Sequence, residues 1–256
     1  MFKRLTIFLY GVIAYAVFFG SFLYAVGFIG NFGVPHTLDS APTAGLATSL
    51  LINLGLLGLF ALQHSVMARP AFKRWMTRLV PTSAERSTYV LASSLALIAI
   101  FAHWQPLGGV VWTVTDPTLR GVIWGCFAFG WLLVLVSTFL INHFDLFGLR
   151  QVWLQLIGRP YTEIGFRTPG PYRYVRHPLY VGWFFAFWAT PTMTVSHLVF
   201  ALATTAYILI AIQLEERDLV AHLGEDYRRY RERVPMLIPF TRKQNVDDAF
   251  LRRQRN

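Results

Sequence analysis

Leu179 to Ile212 reads LYVGWFFAFWATPTMTVSHLVFALATTAYILIAI, 34 residues without one Asp, Glu, Lys or Arg. As a single helix it would run about 50 Å, against a hydrocarbon core of ~30 Å. Pro191 stands near its middle, in Ala189-Thr190-Pro191-Thr192-Met193-Thr194. A proline deep in a helix removes a backbone donor and clashes with the preceding turn. The stretch therefore predicts a hairpin of two short or tilted membrane helices whose ends return to one face.

Outward from the hairpin, four more stretches lack charge: Leu5–Ile29, Ala44–Met67, Ser87–His103 and Gly121–Ile141. Each is close to the ~20 residues that cross a bilayer as a helix. With 55% hydrophobic and 14% charged residues, the chain is too apolar for an ordinary soluble domain. The expected fold is all-α: a polytopic membrane bundle of about six helices, four spans plus the Pro-broken hairpin. Lys3 and Arg4 precede the first apolar run, but that run is longer than a signal-peptide core and reads as a span.

Six crossings put 22 of the 23 Lys and Arg residues on the face that carries the termini, with Arg120 alone opposite. The positive-inside rule then predicts cytoplasmic termini in an inner membrane. The net charge of +10 is mostly this topological signal. The basic residues are divided among short loops, which fits membrane lipid headgroups and argues against nucleic acid as a partner. No obligate protein partner is evident from the sequence.

The hairpin's two ends hold the chemistry. Before it stands Thr168-Pro-Gly-Pro-Tyr-Arg-Tyr-Val-Arg-His-Pro-Leu-Tyr-Val-Gly182; after it stands Glu215-Glu216-Arg217-Asp218. Pro178 suits a first helical turn, whose free N–H groups and partial positive charge attract a carboxylate or phosphate. Arg176 adds a cation, and Tyr172, Tyr174 and Tyr180 add aromatic faces with hydroxyls. Glu215 and Glu216 are acceptors for hydroxyls or an ammonium group, and as neighbours they point ~100° apart on a helix. The competing reading is an interfacial belt of Arg and Tyr closed by an acidic stop.

Two histidines also lie at span ends: His64 in Gln63-His64-Ser65, and His143 in Asn142-His143-Phe144-Asp145. An ionisable residue at membrane depth is a functional candidate, and either could serve as a general base, with Asp145 or Gln151 orienting groups nearby. Val220, Leu223, Tyr227, Tyr230 and Val234 follow helical spacing, so the last helix is expected to leave the membrane as an amphipathic segment, lying on the surface or closing over a site. A single domain over 1–240, its cofactor-binding half over 165–240, would end in a basic, mobile tail over 241–256. Cys126 is the only cysteine, so neither a disulfide framework nor a metal cluster is expected. Phosphate loops, dinucleotide fingerprints, H-E-x-x-H and G-x-S-x-G are absent from the sequence.

Gly170-Pro171-Tyr172, Val175-Arg176-His177-Pro178-Leu179-Tyr180-Val181-Gly182, Glu215-Glu216 and the later Leu219, Gly224, Tyr227, Tyr230 and Val234-Pro235 together resemble the isoprenylcysteine carboxyl methyltransferase superfamily. Gln63-His64-Ser65 with Arg69-Pro70 resembles its NnrU-like branch. Asn142 to Trp153, with Phe187 to Thr194, is similar to the members that convert methanethiol to dimethyl sulfide. The resemblance implies S-adenosylmethionine as cofactor and a small thiol as substrate. It also implies a cofactor site drawn from Tyr172, Arg176, His177, Pro178, Tyr180, Gly182, Glu215 and Glu216. His64, His143 and Asp145 are the candidate catalytic residues, and Arg150, Gln151 and Trp188 the candidates on the acceptor side. Other acceptors (a prenylated cysteine carboxylate, a lipid amine) and a transporter or scaffold remain alternatives.

Overall fold

The computed structural model describes residues 1–241; the basic tail expected over Arg242–Asn256 lies outside the described residues. Five helices among the described residues are long and apolar enough to cross a membrane. They are α1 (Phe2–Gly30), α2 (Leu46–Ala68), α4 (Glu85–His103, with a leading 3₁₀ turn at Thr82–Ala84), α5 (Pro117–Ile141) and α9 (Val195–Leu223). Between them lie the short helices α3 (Pro70–Met76), α6 (His143–Leu146), α7 (Leu149–Leu156) and α8 (Pro178–Trp188), and α10 (Glu225–Arg233) follows α9. The chain is an integral membrane helical bundle.

The hairpin is less symmetric than expected. Its first arm, α8, has only 11 residues, while its second, α9, has 29. Pro191 breaks the chain, but the turn then forms a strand, β2 (Thr192–Thr194). It pairs antiparallel with β1 (Val110–Thr113) from the loop between α4 and α5. That pairing puts the hairpin turn on the same face as the α4–α5 loop. Asp39, from the loop after α1, joins the same face through Thr194 Oγ1. The loops thus alternate between two faces as six crossings require, although α8 at ~16 Å cannot span the bilayer alone.

A short α8 fits because it is set deep against α5. In lipid no hydrophobic force pulls helices together, so close packing of small residues does much of the work. Gly130 and Gly182 form the contact: a Cβ on Gly182 would lie 2.8 Å from the Gly130 carbonyl oxygen and 2.9 Å from the Val134 nitrogen. An aromatic core of Phe28, Phe101, Trp104, Phe127, Trp131, Phe187 and Phe200 fills the half of the bundle away from the termini. Backbone and side-chain polar groups in lipid favour internal partners. Ser49 Oγ and Trp131 Nε1 have none among the described residues, whereas Asn53 is fully paired. The Asn53 side chain receives Gln105 N–H at 2.8 Å and donates to its carbonyl at 2.7 Å.

The expected continuous amphipathic helix is interrupted. Gly224 adopts φ 61° and ψ −128°, a conformation that costs glycine little and other residues much, so the chain turns between α9 and α10. The turn swings α10 and the following Val234–Leu237 segment back over the start of α8, where Met236 and Leu237 pack against the core.

Candidate active site

The two ends of the hairpin meet. Arg176 Nε donates to Glu216 Oε1 at 2.6 Å, and His177 Nε2 lies 3.1 Å from the same oxygen. All three residues are buried, at 9%, 5% and 6% exposure. Tyr180, in the first turn of α8, donates to Glu215 Oε2 at 2.8 Å. The neighbouring carboxylates diverge as helix geometry requires, yet both are reached by side chains from the mouth of α8.

Arg176 does not turn its guanidinium outward. Its Nη1 donates to the carbonyls of Val234 at 2.5 Å and Arg231 at 3.1 Å. The backbone N–H groups of Arg176 and His177 donate to Pro235 and Met236 carbonyls at 2.9 and 3.2 Å. Arg176 therefore bolts together three elements: the start of α8, the end of α9 and the segment after α10. Tyr230 of α10 donates to the Tyr172 carbonyl at 2.6 Å. Burial pushes the Tyr230 hydroxyl up to about 12, and it lifts the hydroxyls of Tyr172 and Tyr227 as well, so all three stay protonated donors. Tyr227 is buried beside Arg176 and Glu216, and its hydroxyl has no hydrogen-bond partner among the described residues.

Pro178 is the buried first residue of α8. Gly182 faces α5 in the glycine contact rather than the carboxylates.

His64 stacks on Phe60 with centroids 5.2 Å apart. Its Nε2 lies 2.8 Å from the Tyr89 hydroxyl and its Nδ1 3.1 Å from Ser93 Oγ. Tyr89 in turn lies within electrostatic reach of Glu215 and Tyr207, and Tyr180 within reach of Tyr89. His64 thus belongs to a half-buried polar layer that borders the Tyr180–Glu215 pair.

His143 lies elsewhere. Its Nδ1 meets Thr138 Oγ1 and its Nε2 meets the Tyr15 hydroxyl, each at 2.8 Å. The ring stacks on Phe139 at 4.2 Å, with Phe147 4.8 Å away. Burial holds this imidazole below its ordinary value, which keeps it neutral. It joins α1, α5 and α6.

Asp145 does not bond His143. It accepts from Arg150 at 2.9 Å and from the Tyr161 hydroxyl at 3.3 Å. Arg150 also donates to Thr162, and Gln151 donates to the Asp145 carbonyl at 3.0 Å. This network ties α6 and α7 to the segment around Thr162. Trp188 donates to Thr205 Oγ1 at 2.9 Å, at the end of α8 remote from Arg176.

Tyr89, Tyr207 and the Pro235–Met236 carbonyls did not stand out in the sequence. A hydroxyl-bearing tyrosine inside an uncharged span is the signal available for the first two; backbone carbonyls leave none.

Residues 123–226, from α5 into α10, match the phospholipid methyltransferase family. The chain is 59% identical over 243 residues to a methanethiol S-methyltransferase of Crocosphaera subtropica, covering 95% of each chain. It belongs to that family of membrane methyltransferases. A second relative in the family, from Mycobacterium tuberculosis, is 54% identical over 238 residues, covering 93% of this chain and 98% of its own. Nurim of Bos taurus is 32% identical over 207 residues, with 76% and 78% covered. No solved structure matches the chain. The protein is thus a methyltransferase, and its reaction draws on a methyl donor.

Proposed function

We propose that the protein transfers a methyl group from S-adenosylmethionine to methanethiol, giving dimethyl sulfide, with the cofactor held between the ends of the α8–α9 hairpin. The observation that carries this reading is the convergence of Arg176, His177 and Tyr180 on Glu216 and Glu215. The relatives' names supply the acceptor.

The residues suit the cofactor. Two carboxylates offer acceptors for ribose hydroxyls or an amino group, and the buried, unpartnered Tyr227 hydroxyl offers a donor beside them. Arg176 and His177 both fall on Glu216 Oε1, so they fix the carboxylate and leave Oε2 for a ligand. Tyr180 fixes Glu215 in the same way. When bound, the cofactor supplies an electrophilic methyl group on a sulfonium. A site of low polarity between helices favours a reaction in which opposite charges cancel, and positioning supplies much of the rest. A thiol is mostly protonated near neutral pH, and His64, bordering Glu215 and Tyr180, is the base we assign to it. His143, Asp145, Arg150, Gln151 and Trp188 serve the frame in this reading.

The termini and the site face the cytoplasm, where the polar cofactor is found, while the apolar thiol and product enter and leave through the bilayer. Purified protein supplied with methanethiol and S-adenosylmethionine is expected to release dimethyl sulfide into the headspace. Folded His177→Ala and Glu216→Ala variants are expected to lose that activity; wild-type rates in both would overturn the cofactor assignment.

A further inference from the structure

The layer that holds His64 contains more than a base. The imidazole does not face open space: Phe60 covers one face, Ser93 Oγ takes Nδ1 at 3.1 Å, and the Tyr89 hydroxyl sits 2.8 Å from Nε2. Tyr89 is the tyrosine bonded to His64. It also lies within electrostatic reach of Glu215, Tyr207 and Tyr180. Tyr207, alongside, is held by Ser65 at 3.2 Å. Gln63, next to His64, donates to Ser93 Oγ at 3.3 Å, while its Oε1 is buried without a partner among the described residues. The layer therefore retains a buried acceptor without a donor among the described residues, which suits a ligand carrying a proton.

We propose that Tyr89 is a catalytic residue that contacts the acceptor thiol and relays its proton to His64. The inference rests on the thiol-methylating reading above. The Tyr89 hydroxyl lies 2.8 Å from Nε2 and 3.1 Å from Nδ1, and the relay uses the tautomer in which Nδ1–H donates to Ser93 Oγ and Nε2 accepts from the Tyr89 O–H. As the sulfur takes the methyl group, its S–H bond breaks and the proton passes to Tyr89 Oη. The Tyr89 O–H proton passes to Nε2, and the imidazolium later returns it to solvent. The sulfur–methyl bond forms as the sulfonium–methyl bond of the cofactor breaks, so no oxidant or further reactant is needed. A phenol hydroxyl both donates and accepts, which a relay requires. Its reach also explains how a histidine shielded on three sides can act as the base.

The test compares two thiols of nearly equal size, ethanethiol and the more acidic 2,2,2-trifluoroethanethiol, with the full-length enzyme in detergent. Tyr89→Phe is expected to lower kcat for ethanethiol about 100-fold or more. The loss should be at least tenfold smaller for trifluoroethanethiol, which needs less help to ionise. His64→Asn should show the same selectivity, and the double variant should lose little beyond either single one. Calorimetry should give Tyr89→Phe the wild-type affinity for S-adenosylmethionine. Equal losses on both thiols, or a wild-type rate on ethanethiol, would overturn the relay. A weakened cofactor affinity would overturn it too, by moving Tyr89 into the cofactor wall. A wild-type enzyme that methylates no thiol would overturn the function itself, a separate failure from that of the relay.

Discussion

Replacing Arg176 with methionine separates the two tasks that this residue combines. The side chain of Arg176 is 7% exposed, that of Glu216 9%, and they meet at 2.6 Å. Arg176→Met leaves a buried carboxylate facing His177 alone and strands the carbonyls of Arg231 and Val234. Removing one partner of a buried ion pair costs about 3–5 kcal/mol. For a chain of this size that corresponds to a fall of about 6–20 °C in thermal midpoint. Replacing both partners by apolar groups is often far less costly than breaking the pair. Arg176→Met/Glu216→Leu is therefore expected to regain more than half of the lost stability while cofactor binding stays absent. Thermal unfolding in detergent and calorimetric titration with S-adenosylmethionine measure the two quantities on the same samples. A single variant within about 1 kcal/mol of wild type would refute the claim that Arg176 bolts three elements together. A double variant with normal cofactor affinity would refute the claim that Glu216 meets the ligand.

Further outcomes follow from the same geometry. Tyr180→Phe removes one hydrogen bond to a carboxylate, about 1.5–3 kcal/mol, and is expected to weaken cofactor binding by tenfold or more in the same titration. Gly182→Ala places a Cβ 2.8 Å from the Gly130 carbonyl oxygen; forcing α5 and α8 apart should cost about 1–3 kcal/mol, read as a lower thermal midpoint. His143 titrates below its ordinary value of about 6.5 because burial disfavours its charged form. The unfolded chain therefore takes up a proton first on acidification, so stability present above that value is lost as pH falls below it. The thermal midpoint of wild type should fall more steeply between about pH 7 and 5 than that of His143→Gln; parallel profiles would contradict the assignment.

Spans and breaks were legible because they depend on properties summed along the chain. Uncharged runs, the excess of Lys and Arg on one face and Pro191 each act locally, and the bilayer leaves helices few alternatives. The closeness of Thr168–Gly182 to Glu215–Glu216 followed from the same reading, since a hairpin returns its ends to one face. The amphipathic spacing from Val220 to Val234 runs on through the break, because periodicity records which side faces inward and not the direction of the axis; Gly224 itself was the local signal of the turn.

Charge and chemistry in the sequence marked His64 and His143 alike, as imidazoles at span ends. Tertiary packing separated them. His143 is caged by Phe139 and Phe147 and held by Tyr15 and Thr138, whereas His64 shares its layer with Tyr89 beside the Tyr180–Glu215 pair. Arg176 likewise read as a free cation, yet its guanidinium closes on Glu216 and on carbonyls about 55 residues further along the chain. Residue type and spacing state what a side chain is able to bond. Its actual partner depends on which helices lie beside it, and in a bilayer that is set by close packing, such as Gly130 against Gly182, that hydrophobicity alone does not encode.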